Sequence, residues 1–285
     1  MSKGYVILAQ NSDHGDYVKM AYVLALSIKV TQSKISSVAL ITDVIDAVPH
    51  HYRAAFDHII EIPWYDDAYN SEWKIENRWK IYHITPYDET IVLDADMLAL
   101  TDISHWWKYL SQNHNICFVN KPVTYRNEII TETYYRTVFV ENDLPNFYSA
   151  VMYFKKSDFA MQYWKLVELI TKNWQMFYSR FLLETKPKNL SMDVTYALAA
   201  KIMDIQDVTI PPEHITFVHM KGRCQNWKLN SDNWREYAAA YIDKTANLKV
   251  GNYKQTGLFH YTEKDFVSVA YHVFEDLYTE SLDHG

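Results

Sequence analysis

Glycine is scarce in this sequence: six residues in 285, where an average of about 7% would give roughly twenty. That scarcity excludes several kinds of site. No G-x-G occurs, so the loop that cradles a dinucleotide's pyrophosphate is missing, and a P-loop is missing for the same reason. The glycine-rich opening loop of a sugar nucleotidyltransferase is absent as well. Neither H-E-x-x-H nor G-x-S-x-G is present, which argues against a zinc protease and an α/β-hydrolase. Cysteine is equally sparse. Cys117 and Cys224 lie far apart, giving neither a disulfide framework nor a zinc-ligand spacing, and two reduced, buried thiols suit a reducing cytosol. No apolar run approaches the ~18 residues of a membrane span, and MSKGYVILAQNSDHGD turns polar too early for a signal peptide. A soluble, cytoplasmic protein with no membrane span is the expectation. The formal charge of −7 gives no overall basic footprint for nucleic acid or an anionic membrane.

What the chain does hold is apolar substance. With 48% hydrophobic residues it can bury a substantial core, as one large α/β domain or two small ones. Tyr5 to Ala9 is a short apolar run of strand length, followed by a polar stretch and then helical spacing from Asp16 to Val30, with Asp13 or Asp16 as cap. Further strands are expected at Ser37 to Ile41, Ile59 to Ile62, Thr90 to Leu93, Ile116 to Val119 and Ala150 to Phe154. Helices are expected at His51 to Phe56, Asn77 to Ile84, Ile103 to Leu110, Phe159 to Asn173, Met192 to Met203, Trp234 to Ile242 and Phe266 to Tyr278. This alternation predicts a mostly parallel central sheet flanked by helices. With no repeat and no Gly-, Ser- or Pro-rich linker, one domain with a carboxy-terminal excursion is the simplest organisation.

The most informative stretch is TIVLDADMLALTDI, Thr90 to Ile103. A hydrophobic strand delivers Asp94 and Asp96, one residue apart, at its carboxyl end, the edge where open α/β sheets gather their ligands. Strand alternation points both carboxylates to one side and Ala95 to the other. Two converging hard oxygen donors suit Mn²⁺ or Mg²⁺, an ion that can stabilise a departing diphosphate. Alone, a D-x-D is short and common. The buried strand before it and the DI-x-x-W after it make it specific.

This segment resembles the metal-binding segment of the glycogenin-like glycosyltransferases, family eight, which have the GT-A fold. Other pieces fall in that family's order. VILAQNSDHGDYVKMAYVLALSIK is similar to its opening strand, nucleotide loop and first helix, and RWKIYHITPYDETIVLDAD to its basic helix and metal strand. FYSAVMYFKKS looks like its asparagine-serine-glycine strand, with Tyr148 and Ala150 in place of the asparagine and glycine. LSMDVTYAL occupies the place of its aspartate-glutamine segment, with Val194 for the glutamine. HMKGRCQNW matches its H-x-x-G-x-x-K-P-W spacing, with Gln225 and Asn226 for lysine and proline. The likeness spans roughly residues 5 to 227. It implies a GT-A type domain over 1–230 and a helical extension over 231–285 packed on it.

The resemblance also implies roles. Asp94, Asp96 and His219 would ligate the metal, and Asp94 would meet the ribose as well. Ala9, Asn11, Tyr17, Ser149 and Gly222 would line the nucleotide-sugar site, Tyr17 by stacking on uracil. Arg78 and Lys80 would neutralise the diphosphate or orient the sugar. Asp193 would line the sugar pocket, and Lys221 or Arg223 would stand in for the late lysine. The implied reaction moves a hexosyl or pentosyl unit from a UDP-sugar to an acceptor hydroxyl with retention, with no secure protein nucleophile. The acceptor is first a saccharide or glycoconjugate. A hydroxylated DNA base is the second choice, on the basic and aromatic interleaving of Lys165, Lys172, Arg180, Lys186 and Lys188 with Trp174, Phe177, Tyr178 and Phe181. A non-catalytic nucleotide-sugar or glycan-binding module is the reading from a different class. Oligomeric state is not legible.

Overall fold

The computed structural model describes residues 1–113, 115–130, 136–205, 207–210, 215–220, 239–261 and 263–283. The opening of the chain follows its hydrophobic pattern closely. Strand β1 (Lys3–Leu8) is followed by helix Tyr17–Thr31, β2 (Val38–Thr42), helix His50–Arg53 and β3 (His58–Glu61). These strands pair in parallel, Tyr5 against Val38 and Ala39 against His58. Asp16 starts the helix as expected, its carboxylate accepting the Lys19 N–H at 2.9 Å, which satisfies one of the orphan donors of a helix start.

The chain then crosses to the other side of β1. There β4 (Glu89–Leu93) runs parallel to it, Gly4 opposite Thr90. Connections therefore leave β1 and β4 in opposite directions, which opens a crevice at their carboxyl ends. Beyond β4 the sheet continues with β7 (Tyr148–Lys155) and β6 (Ile116–Val119), both antiparallel pairings, and ends on β8 (Thr209–Ile210). The seven-strand order is β3-β2-β1-β4-β7-β6-β8.

Both faces of this sheet are covered, so its central strands carry apolar residues on both sides. Tyr5, Ile7, Ile91, Leu93, Val151 and Tyr153 pack toward helices Tyr17–Thr31 and Val267–Asp283. Their neighbours Val6, Val92, Met152 and Phe154 pack toward helices Asp158–Lys172 and Met192–Ile202. The helix expected over Asn77 to Ile84 forms as a 3-10 stretch, Glu76–Lys80, running into a turn of α-helix, Ile81–Ile84.

Two small sheets were not foreseen. β5 (Met97–Ala99) follows the D-x-D directly and pairs with β13 (Leu258–Tyr261), which pairs in turn with β9 (Phe217–Met220). Gly257 begins this approach in the left-handed region, φ +70°, and a Cβ there would lie 2.2 Å from the Thr216 carbonyl oxygen. Only glycine tolerates both demands. The other small sheet is antiparallel: β10 (Ala240–Ile242), β11 (Leu248–Val250) and β12 (Tyr253–Lys254). It corrects part of the helix expected over Trp234 to Ile242: Ala240–Ile242 is strand, because Ile242 is buried opposite Leu248, and the start of that segment lies outside the described residues. Cys117 is buried and its thiol is pushed well up by desolvation. Among the described residues no helix is long and apolar enough to cross a membrane.

Candidate active site

A cavity of about 710 Å³ opens at the carboxyl ends of β1 and β4, within the size range of small-molecule sites. Its walls include Leu8 and Gln10 after β1, Asp94 to Asp96 after β4, Tyr148 to Ala150 on β7, and Ser191 to Val194 at the start of a helix. Of the residues picked out from the sequence, Tyr17, Arg78, Asp94, Asp96, Ser149, Asp193 and His219 all line it. Four cationic side chains, Lys74, Arg78, Arg136 and Lys264, face three carboxylates, Asp94, Asp96 and Asp193. Three of these cations pair with the three carboxylates, so the wall alternates in sign and can exchange protein partners for a polar, charged ligand.

Two of the carboxylates are the paired aspartates. The β4 backbone carries its sheet bonding one residue past the strand, with Asp94 N–H donating to the Ala150 carbonyl at 3.0 Å. Asp94 forms an ion pair with Arg78, which also donates to the Ser149 carbonyl at 3.3 Å. Asp96 is buried and takes two partners from the far end of the chain. His260 Nε2 lies 3.1 Å from its Oδ1, and Lys264 Nζ pairs with its Oδ2. Burial pushes the Asp96 carboxyl up, but His260 and Lys264 outweigh it and hold the group far below the usual carboxylate range. Lys264 also lies 5.0 Å from the centre of the Tyr17 ring.

Ligand atoms of Asp94, Asp96 and His260 fall within 4.8 Å of one another. Trans ligands across an octahedral ion at ~2.1 Å stand about 4.2 Å apart, so small side-chain rotations bring the three around a divalent ion. The buried His260 Nδ1 has no hydrogen-bond partner among the described residues. Two carboxylates and one imidazole form a donor set that suits Mn²⁺ or Mg²⁺, so these residues fit the implied ion.

The third carboxylate of the wall is Asp193, in the first turn of its helix, with Ser191 as cap. Its Oδ1 accepts the Ser149 N–H at 2.7 Å and its Oδ2 pairs with Arg136. Burial raises this carboxyl, but Arg136 and Ser149 prevail and hold it below its ordinary value. Val194 beside it lines the cavity with no polar group to offer.

His219 lines the cavity without belonging to the grouped ligand atoms, and some other expected positions lie elsewhere. The imidazole beside the aspartates is His260. His219 is paired with it across the β9–β13 register, its ring centre 4.8 Å from that of His260. Lys80 does not line the cavity: it is 1% exposed, its ammonium 3.2 Å from Asp67 and bonded to the Tyr65 carbonyl. Ala9 is buried at the end of β1, its N–H donating to Ile41. Asn11 accepts the Val18 N–H at 2.9 Å and so stiffens the first helix rather than facing the cavity. Gly222, Lys221 and Arg223 lie outside the described residues.

Among the lining residues that escaped the sequence reading are His260, Lys264 and Arg136. The first had a signal, since GLFHY is an apolar run ending in histidine just as TFVHM is. The spacing H-x-x-G-x-x-x-x-W favoured the earlier one. Trp73 stacks on His14 at 4.7 Å between ring centres and joins the cavity wall, which ties the segment before Arg78 to the loop after β1.

No family model and no curated protein sequence matches the chain. Among solved structures, it is similar to the bifunctional glycosyltransferase WbbM, with a TM-score of 0.50 and 11% identity over 98% of this chain and 51% of that one. The galactosyltransferase LgtC, solved with donor and acceptor sugar analogues, aligns at TM-score 0.49 and 12% identity, covering 97% of this chain and 95% of that one. GlyE of Streptococcus pneumoniae TIGR4 aligns at TM-score 0.47 and 11% identity over 75% of this chain and 46% of that one. The chain spans about half the length of WbbM and of GlyE. At such identities the likeness is one of fold, and the fold is of the GT-A type: a mixed α/β domain on a mostly parallel seven-strand sheet, with a carboxy-terminal helix.

Proposed function

We propose that the protein is a metal-dependent glycosyltransferase that moves a sugar from a UDP-sugar to an acceptor hydroxyl, with retention at the anomeric carbon. The observation that carries this reading is the convergence of Asp94, Asp96 and His260 in a cavity at the carboxyl ends of β1 and β4 that Arg78 and Lys264 also line. Asp94, Asp96 and His260 would hold Mn²⁺ or Mg²⁺, which supplies Lewis-acid stabilisation of the leaving diphosphate. Tyr17, at the cavity wall beside Lys264, offers a ring face for the uracil. Arg78 and Lys264 are the cations nearest the two aspartates, and they would bind the diphosphate oxygens and hold the donor in place. Asp193, kept ionised by Arg136, is suited to accept hydrogen bonds from the sugar and to face positive charge at the anomeric carbon. It is unsuited to donate a proton. Most of the acceleration would then come from positioning and charge stabilisation.

A saccharide or glycoconjugate is the favoured acceptor. The basic and aromatic stretch that suggested DNA uses part of its inventory inside the fold: Phe177 and Tyr178 are buried, and Lys172 pairs with Glu168 while covering Trp79.

The decisive experiment is calorimetric titration of UDP into the protein with Mn²⁺ and with excess EDTA, repeated on Asp96→Asn. Binding that needs Mn²⁺ and disappears in the variant is expected. Absence of UDP binding under every condition would refute the donor assignment. Undiminished binding in EDTA would refute the metal dependence.

A further inference from the structure

Arg136 is 7% exposed, yet the roles carried over from the sequence give it no task. It immediately precedes the short helix Thr137–Glu141, and its guanidinium reaches three separate places. Nε donates to the Asn146 side chain at 2.6 Å, one terminal nitrogen donates to the Phe147 carbonyl, and the other pairs with Asp193. The plane of this fork is clamped as well: the central carbon lies 3.8 Å from the centre of the Phe139 ring and 4.0 Å from that of Tyr148. Removing a guanidinium from water is costly unless its donors are well matched. Here the donors converge on fixed acceptors, and two aromatic faces add cation–π attraction. A lysine in this place would keep the charge but lose the planar fork.

We infer that Arg136 is a positioning residue for the transferred sugar, acting by fixing the Asp193 carboxylate at the cavity wall. An ionised carboxylate offers about four lone-pair sites, of which Ser149, by its N–H and its hydroxyl, and Arg136 engage part. The remaining sites are acceptors, so the ligand they select is a group carrying hydroxyl donors, such as a sugar ring. With Arg136 in place Asp193 cannot swing away from this task, nor can it be neutralised until the pH is low. Among the described residues, the other titratable groups in its field are Tyr178 and Tyr196, both pushed up to about 12 by burial. Neither changes charge where Asp193 titrates. Arg78 also reaches Tyr196 but is paired with Asp94.

This inference rests on the sugar-transfer reading, so its test carries one readout that does not. Arg136→Met and Arg136→Lys are compared with wild type for UDP affinity in Mn²⁺, for UDP release from a panel of UDP-hexoses and UDP-pentoses in water, and for the carboxyl titration of Asp193 by carbon-13 NMR. The expected result for Arg136→Met is UDP affinity within about twofold of wild type and a kcat lower by about 100-fold, the scale on which small misplacements act. Loss of the guanidinium raises the Asp193 midpoint, so activity falls away at a higher pH on the acid side. Arg136→Lys restores the titration toward wild type but recovers only part of kcat. Should Arg136→Met fail to fold, the lysine variant alone decides through its kcat deficit at unchanged UDP affinity. An Asp193 titration and a kcat that both ignore the substitution overturn the assignment. Wild-type protein that binds UDP but turns over no UDP-sugar refutes the sugar-transfer reading and the catalytic half of this inference together.

Discussion

Asp96 and Asp193 are both carboxylates held ionised by neighbouring cations in one cavity, but the cations differ in kind. Asp96 is held by an imidazole and by a lysine on a flexible stem whose side chain is about a quarter exposed. Asp193 is held by an arginine anchored at three acceptors and clamped between two rings. A lysine is a mobile point charge, whereas an arginine fork is pre-organised. The first arrangement suits a carboxylate whose partner must be exchanged for an incoming ion. The second suits a carboxylate that keeps one direction and one charge throughout. Chemistry that assembles on binding and chemistry that is set beforehand thus share one site.

The sharpest way to break this contrast is at Asp96. Asp96→Asn keeps the shape but removes the charge that an ion needs, and Mn²⁺-dependent UDP affinity measured by calorimetry is expected to fall by at least about 100-fold. His260→Ala should follow, weakening Mn²⁺ binding by at least about 10-fold. His219→Ala should cost less, because its ring sits behind His260 rather than among the ligand atoms. Equal losses in both histidine variants would place two imidazoles at the ion. The smallest effect is expected at Lys264. If Lys264 occupies the oxygen that the ion requires, Lys264→Gln should tighten Mn²⁺ binding to nucleotide-free protein by roughly threefold, read by electron paramagnetic resonance. Weaker binding would mean that Lys264 supports the ion rather than competing with it.

Much of this was legible in the residue order, for identifiable reasons. The D-x-D stood out because a fully apolar strand runs straight into it, and both the strand and the side of the sheet it serves follow from periodicity. Arg78 was legible from its distance to that motif. Lys80, two residues later, matched equally well, yet it is drawn away by a polar network in which Asp67 accepts from Lys80 and from the Trp79 indole at 3.1 Å. Spacing alone cannot tell a buried structural ammonium from one facing a ligand. His219 and His260 were hard to tell apart for a related reason: both histidines end short apolar runs, and the two runs pair in register. Only the antiparallel partnership of β13 with β5 decides which imidazole meets the carboxylates. Arg136 lay beyond reach altogether, because the partners of its fork are set by tertiary packing and no local period announces them.

The partnership of Lys264 with Asp96 joins residues 168 positions apart. A growing chain displays both aspartates early, when they are merely two acids at the end of a strand. Lys264, which helps turn them into a site, follows only 168 positions later, and Gly257 must be in its left-handed bend to admit it. Ligand affinity is therefore a property of the finished fold rather than of its first half. Any ion or nucleotide that needs both ends stabilises the whole native state over partly folded forms, so loading of this site would double as a check that folding is complete.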